Sequence, residues 1–323
     1  MDITSHSLAV LRATLLIAAP IAMSPGAAGS DIPSFAPVLV TDGVYVIYGP
    51  LGLPDENNRG FRNNVVIVDT AAGAVVLDPG GSAWAGEQIA AAVDAVLGKP
   101  VVAVFDSHAH GDHWLGNEGV RRIYPDIEIY AHPVMKARVV GAEGLRWLEQ
   151  IQRLTNGTAN GRSVVAPTKT VSDGDEVVIG GTTFRIHHPG HAHSDNDVMI
   201  EVVSKRVLFT GDIVRNGLMG LMEADSSFAG NVAAIDGLLA MDVAHYIPGH
   251  GPIGGRDAVI AYRTYLDTLL GKVRELYHEG MADYEMKPAV GDALSSFGDW
   301  EGFSMRLGAH VSRAFLEVEA EQF

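Results

Sequence analysis

The sequence has no cysteine among its 323 residues. Disulfides are thereby excluded, as are a thiolate metal ligand and a cysteine nucleophile, so a metal site must be built from histidine and carboxylate. Basic charge is scarce as well: 23 Lys and Arg stand against 39 Asp and Glu, a formal net charge of −16 at pH 7. Neutralising a phosphate backbone needs clustered cations, so no nucleic-acid partner is expected. The same deficit disfavours a strongly anionic substrate unless a local basic patch exists. Long apolar runs are missing too. The apolar run at residues 13–23 falls short of the roughly 20 residues a bilayer requires. It follows Arg12 and precedes Gly26-Ala27-Ala28-Gly29, the order of an export signal cleaved near Ala28 or Gly29. A signal peptide at residues 1–29 is therefore expected, with a periplasmic or secreted mature chain that does not insert in the membrane.

What is present suits a globular enzyme. Hydrophobic residues make up 47% and charged residues 19%, enough apolar material for a core. Past residue 36 no repeat, low-complexity tract or long linker interrupts the chain. Short β-type runs at 44–48, 64–69 and 74–77 come first, with a Gly-, Pro- and Asn-rich loop at 49–63. Apolar spacing predicts a helix over 83–97, followed by a fully apolar strand at 101–105. Further helices are expected at 115–123, 133–154, 232–239 with Asn231 as N-cap, 258–278 and 303–319, and strands dominate 171–214 and recur at 244–247. Two groups of strands, each with its own helices, predict an α/β sandwich of four layers (αββα), with the polar motifs at strand ends along one edge.

Four motifs carry chemistry. The densest is His108-x-His110-x-Asp112-His113, directly after the 101–105 strand. Residues two apart on an extended turn point to one side, so His108 and His110 can share a cation while Asp112 and His113 reach a second. A second cluster runs His187-His188-Pro189-Gly190-His191-Ala192-His193-Ser194-Asp195-Asn196-Asp197, where four histidines compete for a role. The third is Thr210-Gly211-Asp212 and the fourth Pro248-Gly249-His250-Gly251, each closing a strand.

In this order the motifs resemble the metallo-β-lactamase superfamily, and the Leu77-Asp78-Pro79-Gly80 segment looks like that family's early strand and turn. The resemblance spans roughly residues 40–275 and implies an αββα fold with a dinuclear metal site, Zn2+ by preference and Fe or Mn as alternatives. By that resemblance His108, His110 and His193 hold one ion, Asp112, His113 and His250 the other, and Asp212 bridges both. His193 is chosen over His191 because a following Ser and a polar stretch ending in Asp precede a hydrophobic strand. Asp112 would also orient the nucleophile, and Asp78 and Ser107 are candidates to fix imidazole tautomers. Arg215 and His191 are candidate substrate contacts, and the 49–63 loop is a candidate cover for the site.

The family implies a hydrolase that attacks an ester, thioester, lactone or lactam with a metal-bridging hydroxide. Where one β-lactamase branch carries a cysteine ligand this chain has Asp212, which is closer to the glyoxalase II-like and lactonase-like pattern. A true β-lactamase, an iron-dependent sulfur or redox enzyme on the same fold, and a non-catalytic zinc-binding protein are the alternatives. Short stretches also resemble exported zinc metallohydrolases of quinoprotein and sulfur-oxidation systems. The partner is a small-molecule substrate. Arg306 and Arg313 lie where a glutathione thioester would need basic residues, without forming a recognisable glutathione site. Residues 36–280 are read as the domain and 281–323 as a helical extension packed on it.

Overall fold

The structure, a computed structural model, describes residues 33–322; the expected export segment lies outside them. The first half of the chain runs β1 (Val38–Thr41), β2 (Val44–Ile47), β3 (Val65–Thr70), β4 (Gly73–Leu77), α1 (Ala83–Leu97), β5 (Val101–Phe105), α2 (Gly111–Trp114), α3 (Asn117–Ile123), β6 (Glu128–Ala131), α4 (Pro133–Val140), α5 (Ala142–Leu154) and β7 (Lys169–Thr170). Its strands form one sheet in sequential order. The second half runs β8 (Glu176–Ile179), β9 (Thr182–His187), β10 (Met199–Val202), β11 (Val207–Gly211), α6 (Phe228–Leu239), β12 (His245–Pro248), α7 (Arg256–His278), α8 (Asp283–Ala293) and α9 (Phe303–Ala320). Its sheet has the order β12-β11-β10-β9-β8.

Alternation along single strands explains the layering. Val66 and Val68 of β3 face the second sheet and meet Phe184, Ile200 and Phe209, whereas Val65 and Ile67 face Ile89 and Val93 of α1. In the second sheet Val207 and Phe209 point inward, while Leu208 and Tyr246 point out to Tyr262, Leu266 and Leu269 of α7. Strands apolar on both faces can be satisfied only by a neighbour on each side, which is why two sheets are packed face to face with helices outside. The expected α/β four-layer sandwich is the fold observed.

Local differences have local causes. Asp112 and His113 lie in a helical turn, α2, and not on an extended turn, and Gly116 separates α2 from α3. The 133–154 segment breaks at Gly141, whose backbone is extended, into α4 and α5. Helix α6 begins earlier than the apolar spacing implies. Its N-cap is Ser227, whose Oγ accepts from the Gly230 N–H at 3.0 Å, and Asn231 sits inside the helix. Strand β1 and helix α8, which contains Pro288, are additions that the apolar spacing does not signal.

Helices α8 and α9 pack on α7 and enclose His310, which is 2% exposed. Its Nδ1 accepts from the Tyr265 hydroxyl at 2.7 Å and its Nε2–H donates to the Gly220 carbonyl at 2.9 Å. The Tyr265 bond requires the neutral ring, since an accepting Nδ1 carries no proton, and burial pushes its pKa down to about 4. A histidine with a depressed folded pKa leaves stability intact above the unfolded value near 6.5 and removes it as pH falls toward 4. Wild type should therefore lose on the order of 3 kcal/mol over that window through His310. Urea unfolding of wild type and His310→Gln at pH 7 and pH 4.5 checks this; the same pH loss in both would refute it.

Candidate metal centre

The strand topology gathers the four motifs. Strands β4 and β5 are parallel in one sheet, and β11 and β12 are parallel in the other. Their C-terminal ends deliver Asp78, the His108–His113 segment, Asp212 and His250 to one edge of the sandwich, the general position for a site in such sheets. Two clamps hold the edge together. The Asn64 amide donates to the Pro248 and Gly251 carbonyls at 2.8 and 2.7 Å, and the Ala109 N–H donates to Asn196 Oδ1 at 2.9 Å.

Three imidazoles converge there. His110 Nδ1 lies 3.1 Å from His108 Nε2 and 3.0 Å from His193 Nε2. In tetrahedral zinc sites with 2.0–2.1 Å bonds, neighbouring ligand nitrogens stand about 3.4 Å apart, so this spacing suits one ion. His108 ring orientation follows from its other nitrogen. Ser107 Oγ donates to Asp78 Oδ2 at 2.6 Å and is left to accept from His108 Nδ1–H at 2.8 Å, which leaves the Nε2 lone pair facing the site. Asp78 treats His113 the same way, accepting from Nδ1–H at 2.7 Å, and the Arg62 carbonyl does so for His250 at 2.9 Å. The expectation that Asp78 and Ser107 fix tautomers matches these contacts.

The second group is Asp112, His113 and His250, within reach of a common ion. His250 Nε2 is 3.3 Å from Asp112 Oδ2 and 3.5 Å from Asp212 Oδ2. Asp212 stands between the groups, 3.6 Å from His113 Nε2 on one side and 3.6 Å from His193 Nε2 on the other. Two buried atoms here, His113 Nε2 and Asp212 Oδ1, have no hydrogen-bond partner. Orphaned buried polar atoms are costly, and a metal ion would satisfy both.

Charge states agree with that role. Burial first, and then neighbouring imidazoles, pushes His108 well below the usual histidine range; burial likewise lowers His193 and His250. All three therefore present lone pairs. Asp112 and Asp212 are held well below the carboxylate range although burial opposes it, because His113 and Arg62 face Asp112, and Arg215, His250 and His113 face Asp212. Against its own burial, His113 is raised by Asp212, Asp112 and Asp78, so a positive charge is favoured at this spot.

Around these groups lies a cavity of about 390 Å³, lined by His110, Asp112, His193, Asp212 and His250 among others. The 49–63 loop forms one wall through Leu51, Leu53, Pro54 and Arg62. Arg215 reaches the cavity, but its Nη2 donates to Asp212 at 2.8 Å, so it is engaged with a site carboxylate. His191, the other candidate substrate contact, is exposed, lies outside the lining of this cavity, and binds the Asp225 carbonyl through Nε2 at 2.5 Å. His187 and His188 are occupied by Glu201 and the Asp197 carbonyl. Sequence reasoning missed two residues. Arg62 carries no pattern in its polar loop, yet its Nε stands 3.5 Å from Asp112 Oδ2. Asp225 stands 3.9 Å from His110 Nε2 and is held by Arg138 at 2.9 Å.

The family model described as Metallo-beta-lactamase superfamily matches residues 58–250, more than half of the chain. The chain belongs to the metallo-β-lactamase superfamily. Among curated proteins it is similar to a hydroxyacylglutathione hydrolase of Francisella tularensis subsp. holarctica, 27% identical over 171 residues, 53% of this chain and 54% of the relative. A hydroxyacylglutathione hydrolase of Gloeobacter violaceus is 29% identical over 166 residues, 50% of this chain and 53% of the relative. The chain thus spans about half the length of the curated relatives it matches. Among solved structures, a metallo-beta-lactamase from Pontibacter korlensis aligns with a TM-score of 0.59 and 19% identity, over 72% of this chain and 99% of that one. A sec-alkylsulfatase from Pseudomonas sp. aligns with a TM-score of 0.68 and 16% identity, over 87% of this chain and 50% of that one. At these identities the structural likeness speaks to fold.

Proposed function

We propose that the chain hydrolyses an ester, thioester or lactone at a site holding two metal ions. The observation that carries this reading is the convergence of His108, His110 and His193 beside Asp112, His113 and His250, with Asp212 and its unpartnered Oδ1 between them. The orphaned Oδ1 and the histidine and carboxylate donor set fit a metal pair, zinc by preference. Bound there, the pair would lower the pKa of water toward neutrality and polarise a carbonyl oxygen.

The protein supplies the rest. Asp112, whose side chain is 16% exposed against 5% for Asp212, is the more open of the two carboxylates and can accept a proton from an attacking water at Oδ2. Arg62 Nε and His250 Nε2 lie 3.5 and 3.3 Å from that oxygen, and the Arg62 charge keeps it ionised. Arg215 keeps Asp212 ionised and oriented. Leu53, Leu115, Trp147, Leu218 and Leu221 give the cavity apolar walls, which suit an apolar acyl or alkyl group and exclude bulk water. The hydroxyacylglutathione hydrolases among its relatives support a thioester or ester. The engagement of Arg215 with Asp212 leaves that residue less free to bind a β-lactam carboxylate, so β-lactams rank second.

Zinc-loaded and chelator-treated protein should be compared on an aryl ester, a thioester, a lactone and a chromogenic cephalosporin. Chelator-sensitive turnover of the acyl substrates, restored by added metal, is expected. Absence of turnover on every substrate with two metals bound would remove the reading.

A further inference from the structure

Beside its carboxylates the cavity gathers cations that a net −16 chain does not advertise. Three arginines from separate parts of the sequence line it: Arg62 from the 49–63 loop, Arg215 beyond β11, and Arg306 from the start of α9. Each has a buried guanidinium nitrogen without a hydrogen-bond partner, namely Arg62 Nε, Arg215 Nε and Arg306 Nη1. Unmade hydrogen bonds on buried charged donors are costly, and an anionic ligand is the group that would complete them.

Two of these side chains lie on glycines that also line the cavity. An added Cβ would fall 2.0 Å from Arg215 Nε at Gly220 and 3.1 Å from Arg306 Nε at Gly302. The start of α9 is tied to the loop beyond Asp212, since the Met219 N–H donates to the Glu301 carbonyl at 2.9 Å and the Glu301 N–H to Gly217 at 3.0 Å. Burial first, and then Arg215 and Arg62, draws Arg306 below its ordinary pKa, so the cations act on one volume. They differ in commitments. Arg215 and Arg62 face Asp212 and Asp112, whereas Arg306 makes no side-chain hydrogen bond or ion pair among the described residues. Of the other acids on the cavity, Glu223 and Glu301 are exposed at its rim.

The mouth has the opposite character. Leu51, Leu53, Leu154, Leu221 and Met305 line it and are themselves exposed, Leu53 by 64% and Met305 by 83%. Large apolar side chains left open around a cavity mark a surface for an apolar ligand. We propose that Arg306 recognises an anionic group on the substrate, which is therefore an amphipathic anion with its apolar chain along the leucine and methionine wall. The hydrolytic step rests on the function proposed above; the anion recognition does not. Arg306 lies beyond residues 58–250, so this specificity is contributed by chain outside the family match.

Octanesulfonate is the first probe, because a sulfonate is a weak metal ligand, with octanol as its neutral counterpart. Calorimetry on the metal-loaded full chain should show the sulfonate binding at least about ten-fold tighter than octanol in wild type. That preference should vanish in Arg306→Met and return in part in Arg306→Lys, which retains the charge but not the planar fork. Equal sulfonate affinity in wild type and Arg306→Met overturns the proposal. Two aryl esters of one chain length, one ending in a carboxylate, separate the two readings. An anionic-to-neutral kcat/KM ratio that falls at least about ten-fold in Arg306→Met supports recognition by Arg306. Turnover of both esters with that ratio unchanged sinks the anion site and leaves the hydrolase standing. Arg306-dependent sulfonate binding with no turnover of either ester does the reverse.

Discussion

Asp112→Asn lowers turnover of the preferred substrate by about 100- to 10,000-fold, the range that a positioned proton acceptor contributes. The substitution keeps the side-chain shape but replaces one oxygen by a donor. In the wild type Oδ2 stands 3.5 Å from Arg62 Nε and 3.3 Å from His250 Nε2. An amide there can satisfy neither a metal ion nor a water proton as a carboxylate does. Burial opposes ionisation of Asp112, yet His113, Arg62 and His250 hold it ionised well below the usual carboxylate range. The variant loses those favourable contacts as well as the proton acceptor, so circular dichroism, which should show the fold retained, is read beside kcat, which should collapse. Near-normal kcat in a correctly metallated variant would remove Asp112 from its role.

Gly249→Ala abolishes metal binding at the Asp212 and His113 side and lowers kcat/KM at least about 100-fold. An ideal Cβ at residue 249 would stand 2.3 Å from Asp212 Oδ1 and 2.9 Å from His113 Cε1. It would occupy the very space that the orphaned Asp212 oxygen faces. The backbone has no room to retreat. The Gly249 N–H donates to Gly211 at 2.7 Å, and its carbonyl accepts from Asn64 at 2.6 Å. Gly249 is not among the residues with left-handed φ, so the effect is steric and local rather than conformational. Metal analysis should find a reduced metal-to-protein ratio with an unchanged circular dichroism spectrum. Gly255→Ala, where an added Cβ meets nothing within 4 Å, is the control. A full metal complement in Gly249→Ala would refute the geometric argument.

Both predictions concern residues whose motifs are legible in the amino-acid sequence. The His108–His113 run, Gly211-Asp212 and Pro248-Gly249-His250 each follow an apolar strand, and the end of a strand in a layered sheet is where a polar side chain meets solvent rather than core. The 187–197 cluster is less legible. Four histidines share similar neighbours there, and only packing separates them: His193 turns in to 2% exposure while His191 stays outside on the Asp225 carbonyl. Helix starts at Gly111 and Phe228 escape the apolar spacing because the break at Gly116 and the cap at Ser227 depend on single residues, whereas spacing reports only the middle of a helix.

From the sequence alone the donor chemistry follows: with no cysteine and a His-x-His-x-Asp-His run, the site has to be imidazole and carboxylate, and strand alternation requires two sheets with helices outside. These are properties of residue type and spacing, which local geometry reads directly. Only the tertiary structure decides which nitrogen of His108, His113 and His250 faces the site, because that depends on Asp78, acting on His108 through its neighbour Ser107, and on the Arg62 carbonyl, both arriving from other segments. It also decides which charges meet. A net charge sums the whole chain, but electrostatic force falls with distance and is screened by water, so Arg62, Arg215 and Arg306, separated by up to 244 positions in sequence (306 − 62), act together on one cavity in a chain of net charge −16.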